Sequence, residues 1–358
     1  MNRSYFKGVQ ALRGLAALSV MLFHFRWNIN ESYPNLGDRL FGWGATGVDL
    51  FFLISGFVIA LTVKTTPATF SGAVNFLKRR AFRILPAYYA ILIITFMLSG
   101  AMSTFHYEDK ALNFFTSLIF QPAYHDHAPF YIDDSGMYGI RWTLNYEVYF
   151  YLVIGLLLML PMRWLFITLW FIASLVLLPW FNGYAINFSP TGYGFSSGQL
   201  NLISNPMILL FIVGMIIGAS ISYIQRINSK LMALLAFASL IFAYSQFSEG
   251  KFLAHGLLSS GWIYALVLLF VIGAERSIEN WVPQWLLKLG DISFSLYLIH
   301  NLFNYGLAKR FDSTGIEPGM LRFTLSIVLS LLLAWLSWRY IEKPAYRIGK
   351  RREKISAT

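Results

Sequence analysis

Arg13 and His24 stand eleven residues apart in an otherwise apolar run, GVQALRGLAALSVMLFHF. Eleven residues at about 100° each make three turns plus roughly 20°, so on a helix both side chains share one face. Their axial separation is about 16.5 Å. Arg13 alone reads as a cation snorkelling to headgroups, and His24 alone as a helix–helix hydrogen bond. The shared face favours chemistry: a fixed cation at one depth and a proton-transfer imidazole at another. Asp49 opens a second apolar run, GATGVDLFFLISGF, at a depth matching His24. There it orients an imidazole or caps a helix start. Glu147 lies in WTLNYEVYFY, and Asp291 and His300 in GDISFSLYLIHN. An ionisable side chain in a membrane span costs about 2.5–3.5 kcal/mol on insertion scales, so each marks a functional position unless a structural bond explains it.

Arg80 and Arg83 in KRRAFRILP are i,i+3 neighbours that face one way on a helix. Guanidinium groups pair with phosphates through planar donors; the alternative is a positive-inside anchor. His125 and His127 flank Asp126, without the spacing of a helical metal site. No metal site is expected. With no cysteine, thiolate metal sites and a cysteine nucleophile are excluded.

The elements that carry these residues are membrane helices. Hydrophobic residues make up 57% of the 358 and charged residues 13%, which is outside the range of an ordinary soluble domain. The net charge of +11 flanks apolar segments and does not interleave with aromatics, so nucleic acid is not the expected partner. Hydropathy predicts an all-α, polytopic bundle of about ten transmembrane helices, near 9–27, 44–63, 82–102, 142–160, 164–181, 204–223, 230–246, 256–273, 285–306 and 322–341. The segment 111–121 is too short to cross. Gly44, Gly47 and Gly56 allow close helix approach. Of the 28 Lys and Arg residues, 19 fall on one set of helix ends and 8 on the other, which places both termini in the cytoplasm. Lys309, Arg310 and Arg322 crowd one outer loop, either by chance or for phosphate or acidic-glycan contact. The expected organisation is a single domain, 1–358, with an external loop 103–141, a basic cytoplasmic tail 342–358 and no appended soluble domain.

R-G-L-A with R-x10-H, GVDLFFLISGF, RRAFRILP, WTLNYE, SFSLYLIH and RYIEKP run in this order along almost the whole chain. In this set the sequence resembles acyltransferase family 3, the bacterial membrane O-acyltransferases. The resemblance implies transfer of an acetyl group from acetyl-CoA to a hydroxyl of an envelope glycan, such as a lipopolysaccharide O-chain or an exopolysaccharide. It implies a place in the bacterial inner membrane. It also implies that Arg13, His24, Arg80 and Arg83 matter.

On this reading Arg13, Arg80 and Arg83 hold the donor. His24 is a general base on the acceptor hydroxyl or a transient acyl carrier, Asp49 orients it, and Glu147 and His300 position the acceptor or move protons. The partners are acetyl-CoA, a free or lipid-linked glycan and membrane lipid. A proton-coupled transporter of a lipid-linked or amphipathic substrate is the alternative from another class, with buried His, Asp and Glu as relays. A serine hydrolase using Ser55 and His300 is a further enzyme alternative.

Overall fold

The computed structural model describes residues 6–133 and 139–355. Arg3, Asp134 and residues 356–358 of the basic tail lie outside the described residues. Among the described residues every regular element is helical. The main helices are α1 (Lys7–Phe25), α2 (Gly47–Thr65), α3 (Phe70–Thr95), α4 (Glu108–Leu118), α5 (Arg141–Leu157) and α6 (Arg163–Phe181). They are followed by α7 (Gly198–Ala219), α8 (Ser229–Ser248), α9 (Trp262–Ile278), α10 (Gln284–Asn301), α11 (Met320–Ser337) and α12 (Lys343–Ile355).

Among the described residues eight helices are long and apolar enough to cross a membrane. They correspond to eight of the ten expected spans. The other two expected spans are helices in the expected places: α5, of 17 residues, and α10, of 18. α5 is shorter than any of the eight, and α10 is less apolar because it carries Lys288, Asp291 and His300. The short segment near 111–121 forms α4, of 11 residues, about 16 Å long and well under a membrane's thickness.

One boundary differs in a way that matters. The third span, expected from residue 82, begins at Phe70, where the Thr69 side chain accepts a hydrogen bond from Gly72 N–H at 3.0 Å. Such a cap contributes about 1 kcal/mol. KRRAFRILP therefore lies inside α3 and not at its flank, and Pro86 is tolerated in mid-helix.

The chain divides into two compact units. Unit 1 takes Met1–Lys64, Leu209–His300 and Phe311–Ala334; unit 2 takes Thr65–Ile208, Asn301–Arg310 and Trp335–Thr358. In unit 1, α2 crosses the second half of α7 through reciprocal glycines. A Cβ on Gly56 would lie 2.1 Å from Phe211 O, and one on Gly214 would lie 2.0 Å from Leu53 O. Backbones this close exclude any side chain. Close van der Waals approach is what holds helices together where lipid removes the hydrophobic drive. Arg322 is 2% exposed, donates to Asp312 at 2.7 Å, and lies over the rings of Trp27 and Phe311. Its charge is spent inside the unit, so Arg322 does not serve the phosphate or glycan contact considered for it.

In unit 2, the connection 103–141 is built structure where it is described. Tyr88 and Tyr89 on α3 donate to the carbonyls of Ser117 and Leu118 on α4. Buried Arg141 donates to Gln121 O, Asn113 Oδ1 and Thr116 Oγ1, tying the start of α5 to α4. Tyr146 donates to Pro129 O. Asn201 donates to His125 O, and Asn205 to the Tyr131 hydroxyl. Burial pushes the Tyr131 hydroxyl up to about 12, so it stays a neutral pin.

Candidate active site

α1 and the start of α2 are brought together by Ser19, whose hydroxyl donates to Ala16 O and Gly44 O. Gly47 packs on the same place: a Cβ there would lie 2.5 Å from Ser19 Oγ. This fixes the level at which α2 begins beside α1. His24 lies near the end of α1 and is partly exposed. His300, from α10, is fully buried, and its ring centroid lies 4.9 Å from that of His24. The two imidazoles, 276 positions apart in the chain, form one centre in unit 1. His300 Nδ1 faces Leu296 O at 3.2 Å. A carbonyl only accepts, so the hydrogen is on Nδ1, and Nε2 of a neutral His300 carries the lone pair. That Nε2 is buried and has no hydrogen-bond partner among the described residues. His24 makes no side-chain hydrogen bond among the described residues; it packs on His300 and on the ring of Phe23.

Asp49 is fully buried at the start of α2, but its partner is not His24. One carboxylate oxygen accepts from Nδ1 of His255 at 2.9 Å. The other accepts from Gly256 N–H at 2.9 Å and from the Ser260 hydroxyl. The expected Asp49–His24 pairing is thus corrected to Asp49–His255. The reason lies in the segment before α9. Gly256 takes a positive φ of 102°, and the turn Leu257–Gly261 carries Ser260 back to the carboxylate that Gly256 already touches. His255 and Ser260 escape sequence reasoning. A single histidine 206 residues from Asp49 carries no spacing signal.

Arg13, nearer the start of α1, donates to Gln10 Oε1 at 3.3 Å and to Ser293 Oγ of α10 at 3.2 Å. Gln10 in turn donates to Asp291 at 2.7 Å. The interior network of α1 and α10 thus takes up Arg13, Ser293 and Asp291, at a level separate from His24 and His300.

Glu147 and Arg80 belong to unit 2. Tyr151, one turn beyond Glu147 on α5, donates its hydroxyl to Glu147 Oε1. The Arg80 guanidinium lies 5.0 Å from the Tyr151 ring centroid and 5.4 Å from that of Phe76. The sequence reading puts Arg80 at a flank of its span. α3 starts early and carries Arg80 inside the helix, where Tyr151 stands between it and Glu147. Arg83 follows one turn later on α3. Asn145 on α5 is 1% exposed, and neither its amide nitrogen nor its oxygen has a hydrogen-bond partner among the described residues.

His127 pairs with Asp126 at 2.9 Å on the exposed loop and holds the Asp126 carboxyl below its usual range. Among the described residues no group of three or more His, Asp and Glu is placed to hold a metal.

Comparison with known proteins places this geometry. The family described as an acyltransferase domain, acyltransferase family 3, matches residues 6–339. Nodulation protein 10 of Rhizobium leguminosarum bv. viciae is 27% identical over 94% of this chain and 92% of its own length. Exopolysaccharide production protein ExoZ of Rhizobium meliloti is 29% identical over 86% of this chain and 92% of its own. A Staphylococcus aureus (strain COL) protein provisionally named an O-acetyltransferase is 23% identical over 96% of this chain but 58% of its own length. No solved structure matches the chain significantly. With a family match over nearly its whole length and eight helices fit to cross a membrane, the chain is an integral membrane protein that belongs to acyltransferase family 3.

Proposed function

We propose that the protein transfers an acetyl group from acetyl-CoA to a hydroxyl of an envelope polysaccharide, an exopolysaccharide or a lipopolysaccharide O-chain. The observation that carries this reading is the His24–His300 pair: two membrane-embedded imidazoles with ring centroids 4.9 Å apart in an acyltransferase. The names of ExoZ and of the staphylococcal relative support the acceptor and the acetyl group.

His24 is the imidazole at the reacting carbonyl. It serves there by taking the hydroxyl proton or by carrying the acyl group, and His300 Nε2 is the adjacent site for a proton. Arg80 and Arg83 bind the phosphates of CoA; Arg13, oriented by Gln10 and Ser293, also serves the donor. Glu147 works with Arg80 through Tyr151, and Asp49 orients an imidazole. In this reading 1–358 acts as one catalytic domain in the bacterial inner membrane. Its termini are cytoplasmic, and a reporter fused after Asp133 that reads as cytoplasmic overturns that orientation.

The direct test incubates purified protein with labelled acetyl-CoA and purified envelope glycan. Label in the glycan is expected. Proton-driven glycan uptake without acetylation instead establishes a carrier. Mass spectrometry of protein quenched without acceptor separates the two roles of His24: an acetyl group on that residue, passed on at the turnover rate, marks a carrier.

A further inference from the structure

α12 has no part in the roles above, and one of its faces meets no other helix. Its packed face lies on α3, within unit 2: Ala345 is buried, and a Cβ on Gly349 would lie 3.0 Å from Phe82 Cβ. At about 100° per residue, positions 343, 347, 350, 351 and 354 fall within an arc of about 100° turned away from that contact. The sequence fills all five with cations: Lys343, Arg347, Lys350, Arg351 and Lys354. From first to last the stripe runs about 16.5 Å. Arg347 is exposed and makes no hydrogen bond or ion pair among the described residues. Tyr346 borders the stripe on one edge and Ile348 on the other, 42% and 48% exposed. Water suits the cations but not these apolar borders, and hydrocarbon suits the borders but not the cations. The boundary of a bilayer suits both, with ring and aliphatic chain at the acyl edge and cationic heads among the headgroups. Trp338 stands just before α12, its ring centroid 4.6 Å from Lys343 Nζ, and is itself a residue type of that boundary.

We propose that this face of α12 is a lipid-binding surface, and that its partner is the layer of anionic phospholipid headgroups. Charge complementarity selects the partner: five cations in one row meet a surface of phosphodiesters, and each basic residue near such a surface multiplies the association about fivefold. A zwitterionic headgroup has no net charge to offer the row. The lipid contact holds α12 from the side opposite Phe82, so it presses the helix onto the segment of α3 that continues into Arg83. The surface is separate from the chemistry at His24 and His300 and does not depend on acetyl transfer.

The chain has no cysteine, so Ile348→Cys gives the full chain a single site for a fluorophore. The labelled protein is placed in phosphatidylcholine nanodiscs that carry, as quencher, spin-labelled phosphatidylglycerol or spin-labelled phosphatidylcholine. Association of the anionic lipid at the probe is expected to exceed that of the zwitterionic one by about fivefold or more. The preference is expected to vanish when Arg347→Gln, Lys350→Gln, Arg351→Gln and Lys354→Gln are combined, and in about 1 M salt, where the screening length is about 3 Å. Equal association of the two lipids with the intact stripe overturns the proposal, as does a preference that the four substitutions leave in place. If that variant fails to fold, the salt measurement decides, and a preference that survives it overturns the proposal. Quenching by neither lipid also overturns it and leaves the stripe to water or to an acidic protein. No donor or glycan enters the measurement, so its outcome is independent of the acetyl-transfer assay.

Discussion

His24 and His255 both belong to unit 1, and they are held in opposite ways. His24 is located by packing, its ring against His300 and Phe23, and it makes no side-chain hydrogen bond among the described residues. His255 is located by bonding, its Nδ1 fixed on a carboxylate that two further donors immobilise. A packed ring can turn; a ring bonded through Nδ1 to a carboxylate is held in one orientation. The first arrangement suits a group that must meet a thioester and then something else. The second fastens the turn before α9 to the start of α2. The difference teaches that a carboxylate and a histidine at matching depths in two helices are not thereby a pair. The donor that a buried carboxylate finds can come from a loop.

The comparison can be broken most directly at its packed member. His24→Ala should reduce acetyl transfer by about 10⁴-fold, the upper end of what one proton-transfer group supplies, with donor binding retained. Transfer at the wild-type rate would make His24 a packing residue.

Next in size is the brace. Asp49→Asn keeps the side-chain volume but presents amide hydrogens to donors, so kcat should fall by about 10²-fold or more. The sharper measurement is its coupling. In a His255→Ala background the same substitution should cost kcat almost nothing further, since the two residues act as one unit. Additive losses would separate Asp49 from His255. Loss of fold is a measurable competing effect. Each buried donor left unpaired costs about 1–3 kcal/mol, so thermal midpoints of single and double variants are read alongside.

The smallest expected effect lies outside both histidine centres. Arg80→Ala should weaken CoA binding by about tenfold or somewhat more, the worth of a charge-assisted contact, and leave kcat at saturating donor largely intact. Arg80→Lys should restore only part, lacking the planar fork. Equal CoA affinity in all three forms would return Arg80 to its contacts with Tyr151 and Phe76.

Much of the plan was legible in the chain. The eight apolar spans, the short helix near 111–121 and the close approach at Gly56 follow from hydropathy, length and the absence of a Cβ, and the ordered motifs pointed to the family. The start of α3 was not legible, because the Thr69 cap lies in a polar stretch that hydropathy discards. Neither was the fate of Arg322, because a count of charges does not tell a solvated arginine from one enclosed by Asp312, Trp27 and Phe311.

The sequence by itself determined that this is a helical membrane protein of one acyltransferase family, with Arg13 and His24 on one face of the first helix. The helices and the shared face rest on periodicity and composition, which are local, and the family on motifs ordered along the chain. Only the tertiary structure decided which polar groups meet: His300 beside His24, His255 and Ser260 on Asp49, and Tyr151 between Glu147 and Arg80. Where water is scarce, a buried polar group must take its partner from whatever element packs against it. Partners 206 or 276 residues away are chosen by packing, and no spacing in the chain records the choice.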